Sequence, residues 1–333
     1  MMTLNRLAGW AAAVSALGLA VLLGCTDNVP TGEEIPTTPP PATLTPTPIP
    51  SLASASTGSC WDGGAATVKL TGAQSTYDRR SSGASSARID ASGASWTTGS
   101  SGAPVRIGGG SNICWHGGAA TLTYPQSTSW SAYHDTYSFV GYGSNMTVED
   151  WRGHNFGDGI KWEKDATDNW TVRRVHLSDM HDDCVETDWL KGGRIEDVLF
   201  EGCYVFLGIR ARSSAPANGG SNTIVVDNAV VWMKPILNTY DNDPKNSTSA
   251  IFKIGSPSAT PRLRLRNIVL RVDVPPGAGG EGRACLNPGN IVVESVNNVV
   301  VWTGSGNYPC LPLPAGWTLT RDVNVYHDAA ADW

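Results

Sequence analysis

Acidic and basic side chains are concentrated in three short, strand-like segments near the middle of the 333-residue chain. The segments are Asp158-Gly-Ile-Lys161, His181-Asp-Asp-Cys-Val-Glu186 and Leu207-Gly-Ile-Arg210. Carboxyl groups that lie close together can share the roles of proton donor, proton acceptor and nucleophile, and basic side chains can complete such chemistry. Carboxylates are also the hard oxygen ligands that Ca²⁺ prefers. We therefore expect the functional site in these segments.

Each candidate role follows from the chemistry of the side chain. The candidate catalytic residues are Asp182, Asp183, Glu186, Arg210, Lys161 and His181. If Ca²⁺ binds, its expected ligands are Asp158, Asp182, Asp183 and Glu186. Trp162, Trp189 and Arg212 are the expected substrate contacts, because aromatic rings stack well on sugars. The alternative is structural: charges on neighbouring strands pair with each other, and Asp at a corner caps a turn.

The spacing of similar segments predicts the elements that position these residues. Asn145-Met-Thr-Val-Glu-Asp, Asn169-Trp-Thr-Val-Arg-Arg and Gly193-Arg-Ile-Glu-Asp-Val begin 24 residues apart (169 − 145 = 24; 193 − 169 = 24). A repeat of this length is typical of stacked coils, here with two parallel strands per coil. Because side chains alternate along a strand, an apolar column should point inward and a charged column outward. The expected columns are Ile160, Val185 and Ile209 inside, and Lys161, Glu186 and Arg210 outside.

Composition agrees with an all-β solenoid. The chain contains 37 Gly and is 41% hydrophobic but only 16% charged. Beyond the first two dozen residues, no long stretch has apolar residues at helical spacing, so we expect little helix. A formal charge of −6 provides no electrostatic attraction to nucleic acid, which we exclude as a partner. We expect a monomer.

The N-terminus has the features of an export signal. Arg6 precedes an apolar run that ends in Leu22-Leu-Gly-Cys25, which resembles the lipobox of bacterial lipoproteins. We expect residues 1–24 to be a lipoprotein signal peptide and Cys25 to carry the lipid. The alternative is an ordinary signal peptide followed by a chance cysteine.

Two further segments follow the lipidated cysteine. Residues 25–57 are rich in Pro and Thr and are expected to form an extended linker. Residues 58–333 are expected to form one parallel β-helix domain. This organisation predicts a cell-envelope location, with the lipid anchor as the only membrane contact, or an extracellular one.

The remaining cysteines favour disulfides over a metal site. Six cysteines remain when Cys25 is not counted. No Cys-x-x-Cys pair or histidine spacing among them indicates zinc. Cys60 and Cys114 begin two similar segments, Cys60-Trp-Asp-Gly-Gly and Cys114-Trp-His-Gly-Gly, and could occupy equivalent points of neighbouring coils. Cys285 and Cys310 form a natural second pair, although the sequence does not fix the connectivity.

Several of these motifs carry a family resemblance. Asp182-Asp-Cys-Val-Glu186 and the following Ile195-Glu-Asp-Val-Leu-Phe-Glu-Gly resemble right-handed parallel β-helix proteins of the pectin-lyase-like superfamily. Cys114-Trp-His-Gly-Gly and Gly157-Asp-Gly-Ile-Lys161 are similar to a bacterial group of these proteins without an assigned activity. The resemblance covers roughly residues 104–235. It implies the fold strongly and function weakly, because one fold serves many chemistries.

Three activities of such proteins fit the candidate residues. A polysaccharide lyase would use Lys161 or Arg210 as the base beside a uronate, often with Ca²⁺, and a glycoside hydrolase would use two of the carboxylates. A uronate epimerase is the third, because Asp179-Met-His-Asp182 is similar to the Asp-Pro-His-Asp element of alginate epimerases. We expect a surface-anchored lipoprotein that acts on extracellular polysaccharide, most simply as a lyase or hydrolase. The alternative is a non-catalytic glycan-binding or adhesion module.

Overall fold

In the computed structural model of the protein, parallel strands stack into a β-helix. The structure describes residues 58–62, 64–79, 85–164, 167–211, 218–238, 247–274 and 285–333. All ladders between its 19 strands are parallel, which confirms the predicted all-β solenoid. The strand pairings divide into three faces, so a coil has three strand segments rather than the expected two.

Each face is a ladder of strands from successive coils. The first face contains β5 (Cys114–His116), β8 (Thr147–Glu149), β11 (Trp170–Arg173) and β17 (Val292–Val296). The second contains β6 (Ala119–Leu122), β9 (Arg152–His154), β18 (Asn298–Trp302) and β19 (Trp317–Thr320). The third contains β2 (Tyr77–Arg79), β4 (Val105–Ser111), β7 (Tyr137–Ser144), β10 (Asp158–Trp162) and β15 (Phe252–Ile254).

Six longer strands run across a corner, so that each contributes to more than one face. They are β1 (Val68–Gln74), β3 (Arg88–Thr98), β12 (His176–Thr187), β13 (Gly193–Ile209), β14 (Thr223–Met233) and β16 (Arg262–Val272). Helix is scarce in the part of the chain that the structure describes. It comprises α1 (Trp130–Tyr133), α2 (Asn324–Asp332) and a short 3-10 helix, Pro288–Asn290.

The interior is an apolar column whose register differs from the expected one. Ile160 lies beside Val185, as predicted, but Val185 then pairs with Leu207 rather than with Ile209. The column continues from Leu207 to Phe252. The expectation for Ile209 is wrong because coils differ in length: 25 residues separate Ile160 from Val185 (185 − 160 = 25), and 22 separate Val185 from Leu207 (207 − 185 = 22).

The asparagines of the repeat form one corner of the coil. Asn112, Asn145 and Asn169 have φ values of 56°, 50° and 57°, a left-handed conformation that Asn tolerates better than most residues. Asn145 and Asn169 each donate the side-chain amide to the preceding asparagine, at 3.0 Å and 3.1 Å. The third repeat is one residue out of the predicted register, because Gly193 pairs with Trp170 rather than with Asn169.

Three tryptophans of the central coils, including the predicted substrate contact Trp162, lie inside the coil. Trp151, Trp162 and Trp170 are fully buried, and the ring of Trp162 stacks on that of Trp170 at 5.4 Å. The prediction that Trp162 contacts substrate is therefore wrong, since neither face of its ring reaches solvent. Trp189 is half-buried, and Arg212 lies outside the described residues.

All six cysteines are paired. The disulfides are Cys60–Cys114, Cys184–Cys203 and Cys285–Cys310, with Cα atoms 5.7, 5.5 and 5.2 Å apart. This result confirms the disulfide prediction, including both pairs that the sequence favoured. The expected signal peptide, Cys25 and linker lie outside the described residues. Among the residues that are described, no helix is long and apolar enough to cross a membrane.

Candidate functional site

A charged column follows the third face of the coil. Lys161 pairs with Glu186, Glu186 with Gly208, and Gly208 with Lys253. The expectation that Arg210 continues this column is wrong. Gly208 takes that place because of the shorter coil, and Arg210 follows the end of β13 as an exposed residue. Lys253 on β15 supplies the second cation of the column instead.

Gly208 is required where it lies. A Cβ atom at this position would lie 2.7 Å from Cγ of Asp183, closer than real contacts allow. The carboxyl group of Asp183 therefore occupies the space that a side chain at Gly208 would fill. From there it forms an ion pair with Lys253.

A register shift in β12 gathers the aspartates at the same level. The shift lies between Met180 and Asp183, so Asp182 and Asp183 both approach Lys253. The backbone N–H of Asp183 donates to Oδ1 of Asp158 at 3.1 Å, which links this coil to the preceding one. All three aspartates are at most 5% exposed.

Lys161 is the centre of one half of the cluster. Its Nζ atom forms an ion pair with Glu186 and lies 3.5 Å from Oδ2 of Asp158 and 3.7 Å from Oδ2 of Asp188. The ammonium group also lies 4.9 Å from the ring centroid of Tyr137, in a cation–π contact. Lys161 itself is only 3% exposed.

Lys253 is the centre of the other half. Besides Asp183, its Nζ atom contacts Oδ1 of Asp182 at 3.1 Å. Nδ1 of His134 lies 3.2 Å from the other oxygen of Asp182. His134 follows α1 and its side chain is half exposed, so it is the edge of the site nearest to solvent. We call the following residues the third-face cluster: Asp158, Lys161, Asp182, Asp183, Glu186, Asp188 and Lys253.

Burial and nearby charges shift the pKa values of the carboxyl groups in opposite directions. Loss of hydration raises the pKa of Asp158 and Asp183 well above the usual range, and neighbouring carboxylates raise both further. Burial also opposes the ionisation of Glu186, but the charges of Lys161 and Lys253 outweigh it and lower its pKa. A carboxyl group with a raised pKa, Asp183, therefore lies close to one with a lowered pKa, Glu186.

The two lysines remain charged. Burial opposes the charge of Lys161, but Asp158 and Glu186 outweigh it and raise its pKa. The pKa of Lys253 is raised well above its usual value in the same way, chiefly by Asp182 and Asp183. Neither lysine is a ready proton acceptor at neutral pH, because a general base must be unprotonated.

Asp183 is the least satisfied member of the cluster. Its side chain is fully buried, and neither carboxyl oxygen has a hydrogen-bond partner among the described residues. The ammonium group of Lys253 contacts Oδ2. A buried carboxylate oxygen without a hydrogen-bond donor is costly, which favours the protonated form of Asp183.

The carboxylates fit a resident Ca²⁺ poorly. Oxygen atoms of Asp158, Asp183 and Glu186 lie within 4.8 Å of one another, which is close enough to share an ion. However, the ammonium group of Lys161 already contacts Asp158 and Glu186, and that of Lys253 contacts Asp183. An ion among these oxygens would meet two positive charges at short range, so the lysines take its place.

His181 is not brought to the third-face cluster. Its ring is 1% exposed and stacks on Tyr133 at 3.6 Å, and Nε2 lies 3.1 Å from Oδ1 of Asn155. Burial lowers its pKa to about 4, so the ring is neutral at physiological pH. These contacts are those of a buried structural histidine.

Sequence reasoning missed Lys253, Asp188 and His134. Phe252-Lys-Ile254 has the same apolar–Lys–apolar pattern as Ile160-Lys-Trp162, and this pattern could have identified Lys253. No comparable signal marks His134, which reaches the site from a connection between coils. No protein-family model matches the chain, and neither curated proteins nor solved structures give a significant match.

Proposed function

We propose that the chain is a glycoside hydrolase that acts on an extracellular polysaccharide at the third-face cluster. The observation that carries this proposal is the close approach of Asp183 and Glu186 in one buried site, with the pKa of Asp183 raised and that of Glu186 lowered. Hydrolysis of a glycosidic bond requires this combination, a carboxylic acid and a carboxylate on either side of the bond.

In the proposed mechanism, substrate binding first uncovers the buried Asp183. Asp183 then donates the proton on Oδ1 to the glycosidic oxygen while the bond to the anomeric carbon breaks. The Glu186 carboxylate attacks that carbon and forms a glycosyl ester. A water molecule, deprotonated by Asp183, then cleaves the ester, so both carboxyl groups return to their starting states. The oxygen separation of no more than 4.8 Å favours this double displacement, because inverting enzymes separate their carboxyl groups by about 6.5–9.5 Å.

The lysines have supporting roles in this proposal. Lys161 keeps Glu186 ionised, and Lys253 holds the carboxyl group of Asp183 in place over Gly208. Their raised pKa values also favour hydrolysis over the lyase alternative, in which a lysine would have to accept the proton. The competing class is the non-catalytic glycan-binding or adhesion module, for which the cluster would serve only to hold the coils together.

We also propose the setting in which the enzyme acts. Three disulfides are typical of exported proteins, and the lipobox-like segment that ends at Cys25 would anchor the chain to a bacterial membrane. The Pro/Thr-rich linker would hold the β-helix away from the lipid surface. Membership of the pectin-lyase-like superfamily is part of this proposal and is supported by the parallel β-helix and by the motifs of the third face.

An activity screen tests the proposal. The protein is incubated with acidic and neutral polysaccharides, with and without a chelator, while new reducing ends and the ultraviolet absorbance of unsaturated uronates are both measured. We expect reducing ends without absorbance and, in proton NMR of the product, a retained anomeric configuration. Absorbance would instead indicate a lyase, and a binding signal without turnover across the panel would favour the binding module.

A further inference from the structure

A cleft lies away from the third-face cluster, at the corner between the first and second faces. Its volume is about 400 Å³, which is within the range of about 300–1,000 Å³ that is usual for small-molecule sites. The side chains that matter here are Arg152, Arg174, Asp197, Asn228, Asp332 and Trp333.

Asn228 lines this cleft and has an unsatisfied acceptor atom. The residue is only 5% exposed. Its Nδ2 group donates a hydrogen bond to Oδ1 of Asp197. Its own Oδ1 atom is buried and has no partner among the described residues. The orientation of the amide is fixed, because the reverse orientation would place two acceptor oxygens against each other.

Other corner asparagines of the coil do not have this defect. In the neighbouring coil, Oδ1 of Asn267 accepts a hydrogen bond from Asn297 at 2.8 Å. If Asn267 followed the same pattern, its Nδ2 group would donate to Oδ1 of Asn228 in the preceding coil. It donates to Oδ1 of Asp227 at 2.9 Å instead. The free acceptor therefore arises at the one corner asparagine that lines the cleft.

The remaining polar groups of the cleft are of mixed sign. Arg174 is held by Asp150, with two contacts of 2.8 Å, and Oδ1 of Asp197 is taken by Asn228. Arg152 and Asp332 are exposed at the rim and add one donor group and one acceptor group. A strongly charged ligand would meet a like charge here, whereas a hydroxyl group can donate to one side chain and accept from another.

Trp333 supplies the apolar surface of the cleft. Its Nε1 group donates to the backbone carbonyl of Asp197 at 3.0 Å, so the ring has no unsatisfied donor. The ring is half-buried, and its centroid lies 5.9 Å from that of His176. Such a fixed aromatic surface beside amide, carboxylate and guanidinium groups suits the apolar face and the hydroxyl groups of a sugar.

We propose that this cleft is a second carbohydrate site, which binds a neutral sugar unit through the Oδ1 atom of Asn228 and the ring of Trp333. It would hold the protein on a glycan independently of the chemistry at the third face. The site does not depend on the proposed hydrolase activity, since none of its residues belongs to the third-face cluster.

Binding of neutral oligosaccharides tests this proposal. The full chain, with Glu186→Gln to prevent turnover, is screened by saturation-transfer NMR against cellohexaose, xylohexaose, mannohexaose and maltohexaose, beside oligogalacturonate and chitosan oligomers. Affinity for any ligand found is then measured by calorimetry in Asn228→Gly and Trp333→Ala variants. Glycine is used at Asn228 because φ there is 56°. Asn267→Gly, with φ of 51° and outside the cleft, is the matched control.

We expect at least one neutral hexasaccharide to bind. Its dissociation constant should rise about tenfold in Asn228→Gly and in Trp333→Ala, as expected for one hydrogen bond or one aromatic contact, but not in Asn267→Gly. If Asn228→Gly fails to fold, Trp333→Ala alone decides. No binding of a neutral sugar, preference for a charged oligomer, or affinity unchanged by Trp333→Ala would each overturn the proposal.

Discussion

The first and third faces of the coil each hold a column of buried acids and bases, but they satisfy these groups differently. On the first face the residues lie in register, and we call them the first-face ladder: His116, Glu149, Arg173, Glu196, Asp227 and Arg266. Glu149 is fully buried yet accepts backbone N–H groups from Cys60 at 3.2 Å and Trp61 at 3.0 Å. On the third face, the equally buried Asp183 has no such donor on Oδ1.

Arg173 of the first-face ladder is satisfied in the same way, whereas Nδ1 of His116 has only ion-pair contacts among the described residues, the shorter at 2.9 Å to Oδ2 of Asp150. Arg173 donates to Glu196 at 2.9 Å and to the carbonyl of Gly58 at 2.8 Å. Charge and hydrogen-bonding capacity are therefore matched within the protein, which is what a structural ladder requires. In the third-face cluster, five carboxyl groups share two ammonium groups. The comparison indicates that unmet hydrogen bonds, rather than buried charge itself, distinguish a reactive site from a structural one.

The largest expected effect is on turnover. Glu186→Gln removes the proposed nucleophile and should reduce the rate on the substrate identified by screening by about 10³-fold or more. Glu149→Gln, the matched change on the first face, should retain turnover and lower the free energy of unfolding by about 1–3 kcal/mol, because a glutamine amide cannot accept all of the same donors. Steady-state rates and urea denaturation of both variants check the contrast. Unchanged turnover in Glu186→Gln would contradict the contrast between the two faces.

A smaller change should reach the same site through packing. Gly208→Ala places a methyl group 2.7 Å from Cγ of Asp183, so the carboxyl group must move. We expect a loss of about 1–3 kcal/mol in unfolding free energy together with a marked loss of turnover. In the control Gly255→Ala, the nearest atom would lie 3.7 Å away, and both quantities should stay near the wild-type values. Retained turnover in Gly208→Ala would place Asp183 outside the chemistry.

The pH dependence of stability should differ between two neighbouring aspartates. The pKa of Asp183 is raised on folding, so its contribution to stability is present below about pH 3.9, the unfolded value, and is lost as pH rises through the folded value. The Asp183→Asn variant has no group that ionises at this position, so it does not lose stability in this way as pH rises. Its unfolding free energy relative to wild type should therefore increase with pH, by up to about 1.4 kcal/mol per pH unit.

Asp182 should show the opposite sign. Lys253 and His134 outweigh its burial and lower its pKa, so its contribution is present above the unfolded value and is lost as pH falls through the folded one. Asp182→Asn should therefore lose stability relative to wild type at neutral pH and regain it in acid. Denaturant unfolding from pH 3 to pH 9 measures both variants, and parallel pH profiles would contradict the assigned protonation states.

The smallest expected effect is that of metal removal. Because Lys161 and Lys253 occupy the positions between the carboxylates, a chelator should change neither the melting temperature nor the turnover. Added Ca²⁺ should likewise have no effect. A melting temperature that falls with chelator and recovers with Ca²⁺ would show that an ion displaces an ammonium group.

The sequence predicted the coil but not its register. The apolar–charged alternation of Ile160-Lys161 and Val185-Glu186 was enough to place both pairs correctly, because a strand fixes the direction of each side chain. Arg210 was misplaced because the coils differ in length, in part through the register shift in β12, and no periodic pattern reports such a shift. Trp162 was misplaced because aromatic residues fill the interior of a coil as readily as they line its surface.

The cluster itself depends on contacts distant in sequence. Lys253 lies 45 residues after Gly208, its neighbour in the column (253 − 208 = 45). The protonation states likewise follow from burial and from the number of nearby charges, which only the folded arrangement determines. The acidic residues could thus be named from the sequence, whereas their roles could not be assigned.

The most direct test compares Asp183→Asn with Glu196→Gln, in turnover and in unfolding free energy measured on the same preparations. Asparagine has the shape of the neutral carboxylic acid that Asp183 is held to be, so the fold should persist at pH 7 while the proton for the leaving group is lost. Glu196→Gln weakens a buried ion pair with Arg173 and should lower stability without lowering turnover. Equal losses of stability in both variants, with turnover unchanged, would contradict the account and make the third-face cluster a second structural ladder.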